Sequence, residues 1–163
     1  MRIINTGGTF NKRYDPIRGE LFVPNDDLAI ETILQTFSER IEIDGIIYKD
    51  SLVMNDKDRA CLVDAIRNAS DQCLIIVHGT DTMHLSAAAV KAAMIAKTVV
   101  FTGAMIPFSI DPIEATANLA MAIGTARYAS EGVYIAMQGV CGRFDEVVKN
   151  REKGKFEYVQ SQM

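Results

Sequence analysis

The feature that most constrains this chain is an alternation. Short apolar runs rich in β-branched residues are separated by longer stretches whose apolar residues recur at helical spacing. Residues 3–4, 43–48, 74–77, 98–102 and 133–137 read as five strands. Four helices read between them. The first opens at Asn25-Asp26-Asp27, whose short side chains cap free N–H groups, and carries Leu28, Ile30, Ile33, Leu34 and Phe37. The second begins near Asn55 and carries Leu62, Val63 and Ile66. The third follows Asp81-Thr82 and is rich in alanine, and the fourth follows Pro112 with Ile113, Ala117, Leu119, Ala120 and Ile123. Continuous apolar strands alternating with helices predict an α/β fold: a doubly wound, mostly parallel sheet with helices on both faces. Right-handed crossovers place every strand's carboxyl end at one edge of that sheet, and ligands bind there, near the point where strand order reverses.

Composition bounds what such a fold can be for. The 163 residues suit one domain, read here as spanning 1–163, with 48% hydrophobic and 23% charged residues typical of a globular protein. The net charge of −4 argues against non-specific binding to nucleic acid or to anionic membranes, which needs a basic excess. Cys61, Cys73 and Cys141 form no CxxC pair, and His78 and His84 are the only imidazoles, so neither a disulfide framework nor a metal set is suggested. No apolar run reaches the length of a membrane span. A reduced, cytoplasmic protein without metal or organic cofactor is the expectation.

The predicted strand ends carry the candidate chemistry. After the first comes Thr6-Gly7-Gly8-Thr9, where glycines allow close backbone approach and threonines supply hydroxyls. It reads equally as a tight turn, and it is not a GxGxxG dinucleotide fingerprint. After the third comes His78-Gly79-Thr80-Asp81-Thr82-Met83. Asp81 there reads either as a helix N-cap or as a carboxylate gripping an ammonium group, and His78 reads as a satisfied near-core histidine. Ser51 follows the second strand and Gly103-Ala104-Met105 the fourth. Lys149 is a surface charge unless it reaches Thr80, where a desolvated lysine can serve as a base. Residues 11–24 read as a loop or hairpin, and the polar tail after Arg151 as edge strand, partner contact or frayed end.

Thr6-Gly7-Gly8-Thr9-Phe10 together with His78-Gly79-Thr80-Asp81-Thr82-Met83 resembles the bacterial-type L-asparaginase/glutaminase family, and the resemblance continues through Gly103-Ala104-Met105-Ile106-Pro107 and Asn118 to Lys149. It covers the amino-terminal domain of the usual family member, with the second domain expected to be absent. The resemblance implies an amidohydrolase that cleaves the side-chain amide of asparagine, or a related amide, to the acid and ammonia. Thr9 matches the nucleophile, Tyr14 the tyrosine of the adjoining loop, and Thr80 and Lys149 the second threonine and its lysine partner. Gly8 and Ser51 match substrate-binding positions, Ser51 for the α-carboxylate, and Asp81 matches the residue that binds the α-ammonium. The sequence departs from the pattern at Ile106, where arginine is common, and at Leu52 and Val53, where polar residues are typical. Two other functions fit the same residues: a non-catalytic amino-acid or amide-binding module, and a deamidase of a larger substrate. The expected partners are a small-molecule amide and further copies of the chain, as a dimer or higher homo-oligomer.

Overall fold

The computed structural model describes residues 1–159. Its order is β1 (Arg2–Gly7), β2 (Arg13–Asp15), β3 (Glu20–Phe22), α1 (Leu28–Leu34), β4 (Glu42–Lys49), α2 (Asp56–Asn68), β5 (Cys73–Val77), α3 (Met83–Ala92), β6 (Thr98–Thr102), α4 (Pro112–Tyr128), β7 (Gly132–Met137), β8 (Val140–Arg143), β9 (Val147–Asn150) and β10 (Lys155–Tyr158). The main sheet runs β4-β1-β5-β6-β7-β8; the first five strands are parallel and β8 is antiparallel to β7. Numbered by their place in the chain, the parallel strands follow the order 2-1-3-4-5. That order reverses between β1 and β5.

Period-two alternation divides the core between the two faces of the sheet. Ile4, Leu74, Ile76, Val99 and Phe101 pack with Leu62 and Ile66 of α2 and Met83, Ala87 and Val90 of α3. On the other face Ile3, Ile75, Val77 and Val100 pack with Ile30 and Ile33 of α1 and Leu119, Ala122 and Ala126 of α4. The doubly wound expectation therefore holds, and adjacent residues such as Ile3 and Ile4 serve opposite cores.

Caps follow local chemistry. Asn55 begins α2 with a reciprocal capping box, accepting from Asp58 N while Asp58 accepts from Asn55 N. Asp111 caps α4 ahead of Pro112, whose missing N–H costs nothing in the first turn. In α1 the apolar spacing suggests a helix reaching Phe37, yet the helix closes at Leu34 and Phe37 N bonds Leu34 O in a tighter turn. Strand β4 is largely exposed, because as an edge strand it pairs only with β1. Two antiparallel hairpins, β2–β3 and β9–β10, stand outside the main sheet. The first realises the hairpin alternative for residues 11–24, and the second places Lys155–Tyr158 of the polar tail in a strand; the end of that tail, 160–163, lies outside the described residues. Among the described residues no helix is long and apolar enough to cross a membrane.

Candidate active site

The carboxyl ends of β1 and β5 meet where the strand order reverses. Gly8 adopts φ 78° and lies so close to β5 that a methyl group added to it would sit 2.4 Å from the backbone N of Gly79. Only glycine tolerates both the dihedral and the contact. A methyl group on Gly79 would in turn meet Ser51 Oγ at 2.6 Å. Thr9 and Thr80 are each the next residue after one of these touching glycines. The backbone contact thus delivers two threonines and a serine to one small region.

Ser51 begins a single 3-10 turn after β4 and is 1% exposed. Its Oγ is buried and has no hydrogen-bond partner among the described residues. Such a hydroxyl carries a desolvation cost of about 1–3 kcal/mol unless a ligand satisfies it. The loop around it is tied down: Thr82 donates its hydroxyl to Ser51 O at 2.9 Å, and Lys12 pairs with Asp50 at 2.6 Å.

Asp81 does not cap α3. Thr82 holds the N-cap position, and no side chain caps that end. Asp81 instead accepts from Lys149 Nζ at 2.9 Å and from Arg151 Nη1 at 2.8 Å, both through Oδ1, while Arg151 Nη2 donates to Asp81 O at 3.0 Å. The Lys149 hydrogen bond holds the Asp81 carboxyl below its usual range; partial burial opposes the shift, and Arg151 adds to it. Lys149 Nζ also donates to Thr80 Oγ1 at 2.8 Å, so the lysine bridges hydroxyl and carboxylate. Lys149 is on β9 and largely shielded from solvent, and it helps line a cavity of about 360 Å³ together with Thr80, Asp81, Leu85 and Phe156. The lining of that cavity includes neither Thr9 nor Ser51.

His78 is fully buried, and burial pushes its imidazole down to about 4, with Arg59 adding to the effect and the Gly79 hydrogen bond opposing it. The ring is therefore neutral at pH 7. Nδ1 faces Gly79 O at 2.7 Å, and a carbonyl only accepts, so Nδ1 carries the proton and Nε2, 2.8 Å from Ser86 Oγ, accepts. The ring fixes the peptide that precedes Thr80. It is a satisfied core histidine, as its place in the sequence suggests.

Thr9 is half-buried in a short 3-10 turn. Tyr14 is on β2, 61% exposed, and makes no hydrogen bond to the other candidates among the described residues. The structure brings Gly8, Gly79 and Ser51 together and joins Thr80, Asp81 and Lys149 by hydrogen bonds, while the Thr9 and Tyr14 side chains make no hydrogen bond to these groups among the described residues. Sequence reasoning sets Arg151 at the head of the polar tail, where it could cover the site, but not on Asp81; the only signal for that contact is its position two residues after Lys149. The tail charges Lys153 and Glu157 pair with each other at 2.9 Å.

The fold and site define a doubly wound α/β domain with a hydroxyl-rich centre at its topological switch point. A model of the asparaginase N-terminal domain matches residues 1–161. The chain belongs to the asparaginase family. It is 29% identical over 140 residues to the L-asparaginase of Thermococcus kodakarensis, covering 82% of this chain and 42% of that protein. It is 26% identical over 151 residues to a glutamyl-tRNA(Gln) amidotransferase component of Methanococcus maripaludis, covering 86% of this chain and 35% of that one. The solved structure of the thermostable L-asparaginase from Thermococcus kodakarensis superposes with a TM-score of 0.82 at 25% identity, over 99% of this chain and 54% of that one. The chain spans about half the length, or less, of these relatives.

Proposed function

We propose that this domain hydrolyses the side-chain amide of asparagine or a related amide, with Thr9 as the nucleophile. The observation that supports the reading is the Gly8–Gly79 contact, since the residues that follow these two glycines are Thr9 and Thr80, and Thr80 is engaged by Lys149. Binding alone needs no such pair of hydroxyls with an ammonium on one of them. In the reaction Thr9 Oγ1 forms a bond to the amide carbon, the C–N bond breaks, and the hydroxyl proton leaves with the nitrogen as ammonia. Water then cleaves the acyl-threonine ester, returning the hydroxyl and releasing the acid. Because Thr80 Oγ1 accepts from Lys149, its own proton is free to donate, which suits orienting the water or assisting proton transfer. The unpaired Ser51 hydroxyl suits a substrate carboxylate.

Asp81 suits the α-ammonium, although in this structure Arg151 already competes for its Oδ1. Tyr14, on the exposed hairpin, joins the site only if that hairpin closes over bound substrate. The test is ammonia release from asparagine and glutamine by the chain alone and by Thr9→Ala. Release by the parent and none by the variant supports the assignment, and a Thr9→Ala protein that keeps most of its turnover sinks it.

A second reading draws on the amidotransferase relatives and on the exposed Leu52 and Val53 beside Ser51. Here the domain is one part of a larger assembly and acts on a larger amide. Ammonia release only from longer amides, or only with a partner present, favours this alternative. Self-association into a dimer or higher oligomer belongs to the first reading, and light scattering on the purified chain measures it.

A further inference from the structure

We infer that Gln138 is a positioning residue that sets Lys149 against Thr80; this rests on the amide-hydrolysis reading for its catalytic consequence but not for its geometry. Gln138 and Gly139 form the two-residue turn between β7 and β8, where Met137 pairs with Val140. Both turn residues have positive φ, 53° and 82°. Turns of this kind favour Asn or Gly at the first position, and a glutamine in the left-handed region is a strained choice. Strain kept in place points to a demand on the side chain.

The side chain meets that demand on two sides. Gln138 Oε1 accepts from the backbone N of Phe156 at 2.9 Å, and Phe156 lies directly opposite Lys149 in the β9–β10 ladder. Gln138 Nε2 donates to Glu114 Oε1 at 3.2 Å, and Glu114 gathers the N–H groups of Met105 and Ile106. The turn itself is held by Gln138 N donating to Asn118 Oδ1 at 2.8 Å, and the buried Asn118 Nδ2 donates to Gly103 O at 2.9 Å. Gly103 forms the floor beneath Thr80: a methyl group on it would lie 2.3 Å from His78 O and 3.5 Å from Thr80 Cγ2. The Gln138 side chain therefore joins the loop of Met105 and Ile106, through Glu114, to the hairpin that carries Lys149, while its backbone N ties the turn to the Gly103 floor under Thr80. A glycine at this position would lack both bonds, and an asparagine is one methylene shorter.

The experiment uses Gln138→Gly in the full chain, which relieves the backbone strain while removing both side-chain bonds. Its Tm should be unchanged or raised. Hydrogen exchange at Phe156 N–H should accelerate at least about tenfold, and the NMR chemical shifts of the Lys149 side-chain methylenes should move. In ammonia release, kcat should fall by about ten- to a hundredfold with KM little changed, the scale of a small misplacement of a reacting group. The double variant Gln138→Glu with Glu114→Gln keeps an acceptor for Phe156 N and an amide–carboxylate bond between positions 138 and 114, while giving up one of the two oxygens that accept from Met105 N, and should recover most of the loss in all three readouts. Exchange and chemical shifts need no turnover. If both change while the parent releases no ammonia, the positioning role stands and the amide-hydrolysis reading falls. Unchanged exchange, or faster exchange with unmoved Lys149 side-chain shifts, overturns the inference.

Discussion

Two hairpins flank the candidate site, and they are built on different physics. β2–β3 carries Tyr14 and is exposed throughout β3; Ile17 in its turn is 94% exposed. What ties it down is polar: Lys12 to Asp50, Arg13 to Asp26, and Ser109 Oγ donating to Lys12 O at 2.8 Å. β9–β10 carries Lys149 and is anchored by burial, with Val147 3% and Phe156 6% exposed. Polar pins add to that anchor, from Gln138 to Phe156 and from Tyr158 OH to Cys141 O at 3.0 Å. Partly exposed ion pairs are worth little because water screens them, whereas buried aromatic and aliphatic groups resist local opening. The buried hairpin therefore presets its functional group in the free protein. The exposed one gives Tyr14 no comparable anchor.

The largest expected effect is on the preset side. Lys149→Met keeps the aliphatic stem and removes the ammonium, and ammonia release should fall by about 10²–10⁴-fold, the span of a lost proton-transfer group. A loss below about tenfold would mean that Thr80 works without the lysine, and the contrast between the hairpins would lose its functional side.

Stability should divide the same way. Phe156→Ala should cost about 3–5 kcal/mol in urea unfolding, whereas Leu21→Ala on the exposed hairpin should cost under about 0.5 kcal/mol. Similar costs would erase the distinction.

The floor between the hairpins makes its own prediction in pH. The ordinary imidazole value is 6.5, and His78 in the fold is lowered to about 4. Between those values the unfolded chain binds a proton that the native state does not. Stability should therefore fall as the pH drops through that window, by about 3 kcal/mol in all. Asp81 acts lower still: its folded carboxyl is depressed, so its contribution is present above the ordinary carboxyl value and disappears as the pH falls further. Unfolding measured from pH 7 to 4 should lose the upper slope in His78→Gln, and a slope that persists there would assign it to another group.

Two smaller effects probe the contrast from the ligand side. Tyr14→Phe should leave Tm unchanged and lower kcat/KM by about tenfold, the reach of one hydrogen bond made to substrate; a fall in Tm would show that the exposed hairpin is already docked. Arg151→Ala should lower KM for asparagine by up to about fivefold, since an exposed ion pair is worth about 0.2–1 kcal/mol. A higher KM would show that Arg151 holds the substrate rather than competing with it.

The sequence alone determined the doubly wound class, because β-branched runs and helical spacing report which faces are apolar, and burial of those faces leaves few alternatives. It also exposed the glycine–threonine pairs and, through their resemblance to a known family, the remaining candidates. It did not reveal β8, since a short, half-polar edge strand has no distinctive period. It left Asp81 divided between cap and ligand, because both roles place the same residue before a helix; the structure removes the cap reading, since Thr82 holds the N-cap position and Asp81 turns to Lys149 and Arg151. The link from Gln138 to Phe156 and Glu114 was equally invisible, as its members are separated by 18 and 24 positions along the chain. Local propensity acts over a few residues. A hydrogen bond that closes such a loop exists only after the sheet and both cores have brought its ends together, so tertiary packing alone could choose the partners.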